Sequence, residues 1–341
     1  MRITNKPGYR LAFCATLLAF VVVLLGAYTR LTHAGLGCPD WPGCYGFLHV
    51  PHTEEQLAHA EEHFPHAPLE ADKGWNEMLH RYCAGILGIL VLLLALHALY
   101  RHGRGGQPLR LPLLLLALVI LQAAFGMWTV TLKLWPQVVT LHLLGGFATL
   151  SLLFLLTLRL SAYAPAPLRL GASLRALAAF SLVLVIGQIS LGGWVSANYA
   201  AMACIDLPTC QGRWWPEMDM ASAFNFAQDI GPNYLGGALD STARTAIHLA
   251  HRIGALLTAS VLLLLVFRLY RAGLAALALL LLLLLTLQIS LGLANVLLHL
   301  PLFVAVAHNG GGAALLLMLV LVNWRLRAGS RQSLLYVSYA P

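Results

Sequence analysis

The sequence predicts an all-α integral membrane protein, with eight transmembrane helices arranged as a tandem parallel repeat of two four-helix bundles. Three observations lead there. Hydrophobic residues make up 59% of the 341 and charged residues only 10%, against roughly 25% charged in soluble domains. Apolar windows such as Leu11–Tyr28, Leu111–Leu132 and Leu274–Leu293 approach the roughly 20 residues a helix needs to cross a bilayer. Many residues of the first half also reappear in the second at a fixed offset. With no water in hydrocarbon to satisfy the backbone, windows of this length and hydrophobicity are read as helices.

The first span, 10–30, is too long, and too poor in a small-residue cleavage site before Arg30, to be a removable signal. The others fall at 77–100, 111–132, 138–160, 174–196, 242–268, 273–294 and 302–324. A cytoplasmic N-terminus puts 14 of the 21 basic residues on the inner side, from Arg2, Lys6 and Arg10 through Arg101, Arg104, Arg110, Arg159, Arg169, Arg175, Arg268 and Arg271 to Arg325, Arg327 and Arg331. That is the positive-inside distribution. All 13 acidic residues then fall in external loops or at external helix ends. The expectation is a multi-pass protein of the plasma membrane with both termini cytoplasmic. The net charge of +8 is thus a topology signal. No basic surface with interleaved aromatics argues for nucleic acid.

Adding 166 to a residue number finds its partner: Gly26 and Gly192, Cys38 and Cys204, Asp40 and Asp206, Pro42 and Pro208, Cys44 and Cys210. The series continues with Leu121-Gln122 and Leu287-Gln288, Gly126 and Gly292, His142 and His308, and Gly145-Gly146 and Gly311-Gly312. His80-Arg81 matches His251-Arg252 at an offset of 171, so the second external loop is five residues longer and the segment after it five shorter. Four helices per unit give both halves one orientation, hence a parallel repeat. The expected division is 1–165, 166–330 and a cytoplasmic tail, 331–341.

Ionisable groups inside spans are costly and mark function by default. His97 and His299 sit near helix ends without repeat partners and read as interfacial. His80, His142, His251 and His308 stand in repeat register, one opening the second helix of each half and one near the outer end of the fourth. Two imidazoles at similar depth on facing helices suit bis-histidine haem ligation, and Gly85, Gly145-Gly146, Gly254 and Gly310–Gly312 would let a flat macrocycle approach. A single such histidine would more simply be a hydrogen-bonded structural residue; four in register favour haem. Arg81 and Arg252, directly after two of them, suit haem propionates, or else snorkel and cap the bundle. Glu77 lies three residues before His80, on the same face, where the second half has His248. This difference, like that between Arg30 and Ser196, suggests chemistry in the first half and a retained electron-transfer haem in the second. A desolvated glutamate can carry protons near neutral pH.

Cys14 and Cys83 lie in helices, where free cysteine mostly packs. Cys38/Cys44 and Cys204/Cys210 lie in the long external loops, on the oxidising side where disulfides persist; each pair is either a short disulfide or two unlinked thiols. The stretch 51–66, PHTEEQLAHAEEHFPH, reads as an amphipathic loop helix. His59 and His63 on one face offer a metal site as the alternative.

Taken together, YTRLTHAGLGCPDWPGC (Tyr28–Cys44), WNEMLHR (Trp75–Arg81), His142, IHLAHR (Ile247–Arg252) and His308 resemble the haem A synthase family over residues 10–325. The His/Glu-rich 51–66 departs from its pattern. The resemblance implies oxidation of the C8 methyl of haem O to a formyl group by two successive hydroxylations and loss of water, giving haem A for cytochrome oxidases. It implies that His80 and His142 hold the substrate haem and that His251 and His308 hold a permanent haem b. Glu77 would then be the essential glutamate, and Cys38 and Cys44 the external cysteine pair. Implied partners are membrane lipid, haem O, haem A, a haem O synthase, an electron donor of unknown identity, and in some forms a second copy of the chain. The rival readings are a di-haem b electron-transfer protein, which needs neither Glu77 nor unlike halves, and a haem transporter, which usually has broken helices or a pathway at the midplane.

Overall fold

The computed structural model describes residues 5–103, 108–163 and 171–337, with side chains up to Arg327. Arg2, Arg104 and Arg169 of the orientation argument lie outside it, as do the expected boundary at 165/166 and the side chains of the tail 331–341, Arg331 among them. Ten helices occur among the described residues: α1 (Tyr9–Leu31), α2 (Glu54–His63), α3 (Ala71–Tyr100), α4 (Arg110–Thr131), α5 (Pro136–Leu160), α6 (Ala172–Ala197), α7 (Met220–Ala223), α8 (Ser241–Arg271), α9 (Ala275–Leu297) and α10 (Leu302–Val337). Eight of these are long and apolar enough to cross a membrane; α2 and α7 belong to the two long loops that carry the cysteine pairs. Each expected span falls on one helix, with only 132 and 273–274 outside α4 and α9. The largest departures are the polar start of α3 (Ala71–Asn76) and the polar end of α10, where hydrophobicity stops before the helix does.

Helix contacts form two rings. In the first, α1 touches α3 and α5, and α4 touches α3 and α5; in the second, α6 touches α8 and α10, and α9 touches α8 and α10. In each bundle the second and fourth spans (α3 and α5, α8 and α10) therefore stand diagonally opposite. The bundles join through α1 with α10, α5 with α6 and α5 with α10. This is the self-complementary set that a two-fold relation between the halves generates. Accordingly, 33% and 44% of the spans of α5 and α10 are buried, against 11% and 17% for α4 and α9.

Local structure repeats too. The α1, α4, α6 and α9 helices each end on a residue with positive φ (His33, Lys133, Tyr199, His299). There the next N–H reaches back five residues: Ala34 to Thr29, Leu134 to Thr129, Ala200 to Val195, Leu300 to Asn295. This Schellman closure satisfies end carbonyls that would otherwise be orphaned. Residues on the axis meet their own equivalents. His33 stacks on Tyr199 with centroids 5.5 Å apart, while Arg30 donates to the Ser196 carbonyl at 2.6 Å and lies 4.0 Å over the Tyr199 ring.

Both cysteine pairs are disulfides, Cys38–Cys44 and Cys204–Cys210. Inside each closed loop an aspartate accepts two backbone N–H groups: Asp40 from Tyr45 (2.6 Å) and Gly46 (2.9 Å), Asp206 from Gln211 (2.7 Å) and Gly212 (3.0 Å). The Thr209 hydroxyl, together with these amides, holds the Asp206 carboxyl down at about 2. Of the two readings of 51–66, the helix is what forms: Thr53 and Gln56 make a capping box at the start of α2. His59 and His63 stack with centroids 4.0 Å apart, and among the described residues no cluster of three metal-binding side chains occurs.

Peptide mapping without reductant should find Cys38–Cys44 and Cys204–Cys210 linked locally. Cys14 and Cys83, free in the structure, should carry the alkylating label. A Cys38–Cys204 crosslink would contradict this arrangement of loops.

Candidate functional site

The four repeat-register histidines sit on the diagonal helices, His80 on α3 opposite His142 on α5, and His251 on α8 opposite His308 on α10. Each pair lies within electrostatic reach across its bundle. All four rings are half-buried. The Nδ1 atoms of His80, His142 and His308 are shielded from solvent and have no hydrogen-bond partner.

The other diagonal supplies glycine. A Cβ on Gly26 (α1) would lie 3.1 Å from Cε1 of His80, on Gly126 (α4) 3.5 Å from His142, on Gly192 (α6) 3.2 Å from His251, and on Gly292 (α9) 3.1 Å from His308. Each imidazole therefore lies against bare backbone of the neighbouring helix. Two imidazoles on opposite helices, with a buried Nδ1 left unpartnered on His80, His142 and His308, are a donor set that would fit a haem iron. The sequence reading gave this role to other glycines. Gly145, Gly254 and Gly311 instead accommodate Gln122, Gln188 and Gln288, whose amides a Cβ would overlap; Gly85 and Gly146 have open space beside them. Gln122 and Gln288 stood out only as repeat markers, and Gln188 not at all, because its partner is Val22.

Glu77 is the single buried carboxylate among the described residues, 5% exposed. One oxygen accepts the Cys38 N–H at 2.9 Å and the other pairs with Arg81 at 2.5 Å. Arg81 also donates to the carbonyls of Asp40 (3.0 Å), Pro42 (3.3 Å) and Gly43. In the second half Arg252 donates to Cys204 (2.8 Å) and Thr209 (2.9 Å), and His248 Nδ1 donates to the Ala200 carbonyl at 2.9 Å. These four residues fasten the disulfide loops over the external ends of the sites, a task the sequence did not announce. Arg252 keeps a buried, unpartnered Nε–H. His97 packs beside Gly8 at the other end of α3, and His299 ends its turn, both away from the paired histidines.

These features define an all-helical polytopic membrane protein of two four-helix bundles, each with a histidine pair on its diagonal helices. The profile of COX15-CtaA, the cytochrome oxidase assembly proteins, matches residues 9–320. The chain is 52% identical over 313 residues to the Heme A synthase of Shewanella oneidensis, covering 90% of this chain and 92% of that one. It is 32% identical to the Heme A synthase of Methylobacterium radiotolerans (85% and 82% covered) and 29% identical to that of Sphingopyxis alaskensis (90% and 88%). The chain belongs to the COX15-CtaA family of cytochrome oxidase assembly proteins.

Removing one member of a buried ion pair strands the other and costs about 3–5 kcal/mol. Glu77→Ala should therefore lower the thermal midpoint in detergent and open the Cys38–Cys44 loop to protease. Glu77→Gln, which can still accept the Cys38 N–H, should lose less. Equal stability of wild type and Glu77→Ala would show that the pair does not hold the loop.

Proposed function

We propose that this chain is a haem A synthase, an oxidoreductase that converts the C8 methyl of haem O to the formyl group of haem A. The observation that carries it is the duplicated diagonal histidine pair with a buried carboxylate, Glu77, above only one copy. The names of its relatives support the same reading. The first half, 1–165, would bind the substrate haem through His80 and His142. The second, 166–330, would hold a haem b through His251 and His308, which supplies one-electron transfer when bound.

The chain's own residues do the rest. His80 and His142 would hold the substrate by its iron, in the bundle whose disulfide loop Glu77 and Arg81 anchor. That loop, pinned by Arg81, shields the site from water. Glu77 is the group placed to hold or pass protons as the methyl carbon is hydroxylated twice and loses water, and its pair with Arg81 sets how readily it does so. Arg252, through its free Nε–H, would meet a propionate directly, and Arg81 would do so by giving up part of its hold on Glu77 and the loop. A cytoplasmic N-terminus and C-terminus in the plasma membrane put both loops outside. A haem O synthase and an electron donor are the expected partners.

His251→Ala or His308→Ala should abolish the low-spin haem b spectrum. His80→Ala or His142→Ala should keep that spectrum and stop turnover. Loss of the same haem in all four variants would refute two separate sites. Glu77→Gln, expressed with a supply of haem O, should form less than about a tenth of the wild-type haem A, an acid–base loss of the usual size, with any accumulated hydroxylated haem separated by chromatography. Near-normal haem A would leave Glu77 as a loop anchor only. Failure of the purified protein to convert haem O, with haem b intact, would favour a di-haem electron-transfer protein.

A further inference from the structure

Around each histidine the structure repeats a second motif. Three of the four sites pair Q-x-x-x-G on one helix with H-x-x-G on its neighbour: Gln122 and Gly126 with His142 and Gly145, Gln188 and Gly192 with His251 and Gly254, Gln288 and Gly292 with His308 and Gly311. The glutamine lies over the second glycine, beside the imidazole. At the fourth site both partners change together. Val22 stands four residues before Gly26, and Cys83 stands three after His80.

The consequences for the rings differ. Gln188 Nε2 lies 3.0 Å from His251 Nδ1 and 3.0 Å from the His251 carbonyl, and Gln288 Nε2 lies 3.5 Å from a ring nitrogen of His308. The Nδ1 atoms of His308, His142 and His80 are buried and unpartnered, that of His308 because Gln288 meets the ring at Nε2. The His80 ring lies within reach of the Val22 backbone carbonyl. A ligating imidazole normally has its second nitrogen held by such a partner, which fixes the ring and raises its basicity; losing the partner typically costs 10–100-fold in metal affinity. Gln188 can serve either tautomer, because its Oε1 is also buried without a partner. A half-turn of the amide, at the expense of its bond to the His251 carbonyl, would present that oxygen to an Nδ1 proton.

We propose that Gln188, seated on Gly254, is a positioning residue that makes the second-half haem permanent, and that Val22 with Cys83 at His80 is what lets the first-half haem exchange. This rests on the assignment of the two haems given above. It also accounts for a requirement of the reaction: a substrate haem must enter and leave, while an electron-transfer haem must stay.

The test uses full-length protein purified with its haems, and haem transfer to excess apomyoglobin as the readout of release. Gln188→Val should speed haem b loss about 10-fold or more and shift its low-spin EPR signal. Gly254→Ala, whose Cβ would displace the Gln188 amide without touching His251, should move both in the same direction. Gln188→Glu should retain haem b with a lowered midpoint potential, which a packing role alone would not produce. The reciprocal Val22→Gln/Cys83→Gly should slow release of haem from the first half by a similar factor and slow turnover with it. Unchanged release and EPR in Gln188→Val, with haem b still lost in His251→Ala, would overturn this inference alone. Retention of haem b in His251→Ala would instead overturn the site assignment beneath it.

Discussion

Four imidazoles lying against the backbones of neighbouring helices set the terms for the rest of the molecule. In a bilayer a polar ring gains nothing from solvent, so it needs a ligand or a protein partner. A ring can lie flat between two helices only where one of them has no side chain. Gly26, Gly126, Gly192 and Gly292 meet that condition on α1, α4, α6 and α9, and the ring-bearing helices then occupy the opposite diagonal. Helix order, the sharp Schellman ends that turn α1, α4, α6 and α9 on the side of the disulfide loops, and the loops drawn over the sites all accommodate this crossing of diagonals.

Spans and repeat were legible because both are one-dimensional signals. Hydrophobicity runs for the thickness of a membrane, and 166 is constant wherever loops keep their length. The histidines were legible for the same reason, being costly residues in register. What sequence could not say is which way a side chain points from a helix of unknown rotation. Arg81 and Arg252 looked free for propionates, yet their terminal nitrogens hold the disulfide loops, which fold back from 38 to 48 residues away. Gly145 and Gly254 looked like room for a macrocycle and are room for glutamine. The start of α3 was missed because Asp72, Lys73 and Asn76 are polar; that turn stands beyond the apolar layer and packs on Gly37 of the loop.

The loop anchors show how one scaffold was put to two uses. Arg81 and Arg252 perform the same task on carbonyls of equivalent loops. Glu77 and His248 also perform one task with opposite polarity: the carboxylate accepts from an amide of its loop, and the imidazole donates to a carbonyl at the foot of its loop. A loop can be fastened either way, so fastening alone does not require a carboxylate. The choice of glutamate in the first half is the part that fastening leaves unexplained, and the proposed acid–base function at that site would supply the reason.

The differences between the halves are not scattered. Around α4–α5 and α9–α10 the two sites carry the same set: Gln122 and Gln288, Gly126 and Gly292, His142 and His308, Gly145 and Gly311. Around α1–α3 and α6–α8 the glycine, the ligand and the arginine are shared, but Val22 faces Gln188, Cys83 faces Gly254, Glu77 faces His248 and Arg30 faces Ser196. Divergence among these residues is concentrated on the side of each site that carries His80 or His251, while on the other side Leu143 and Leu144 give way to Asn309 and Gly310. If both ligands of a site had changed, the bundle would have lost the geometry that both halves share. Changing one side leaves an invariant imidazole to seat the macrocycle and frees the other to differ in grip and in proton chemistry. A duplicated electron-transfer bundle could in this way acquire a half that releases what it binds without giving up the half that does not.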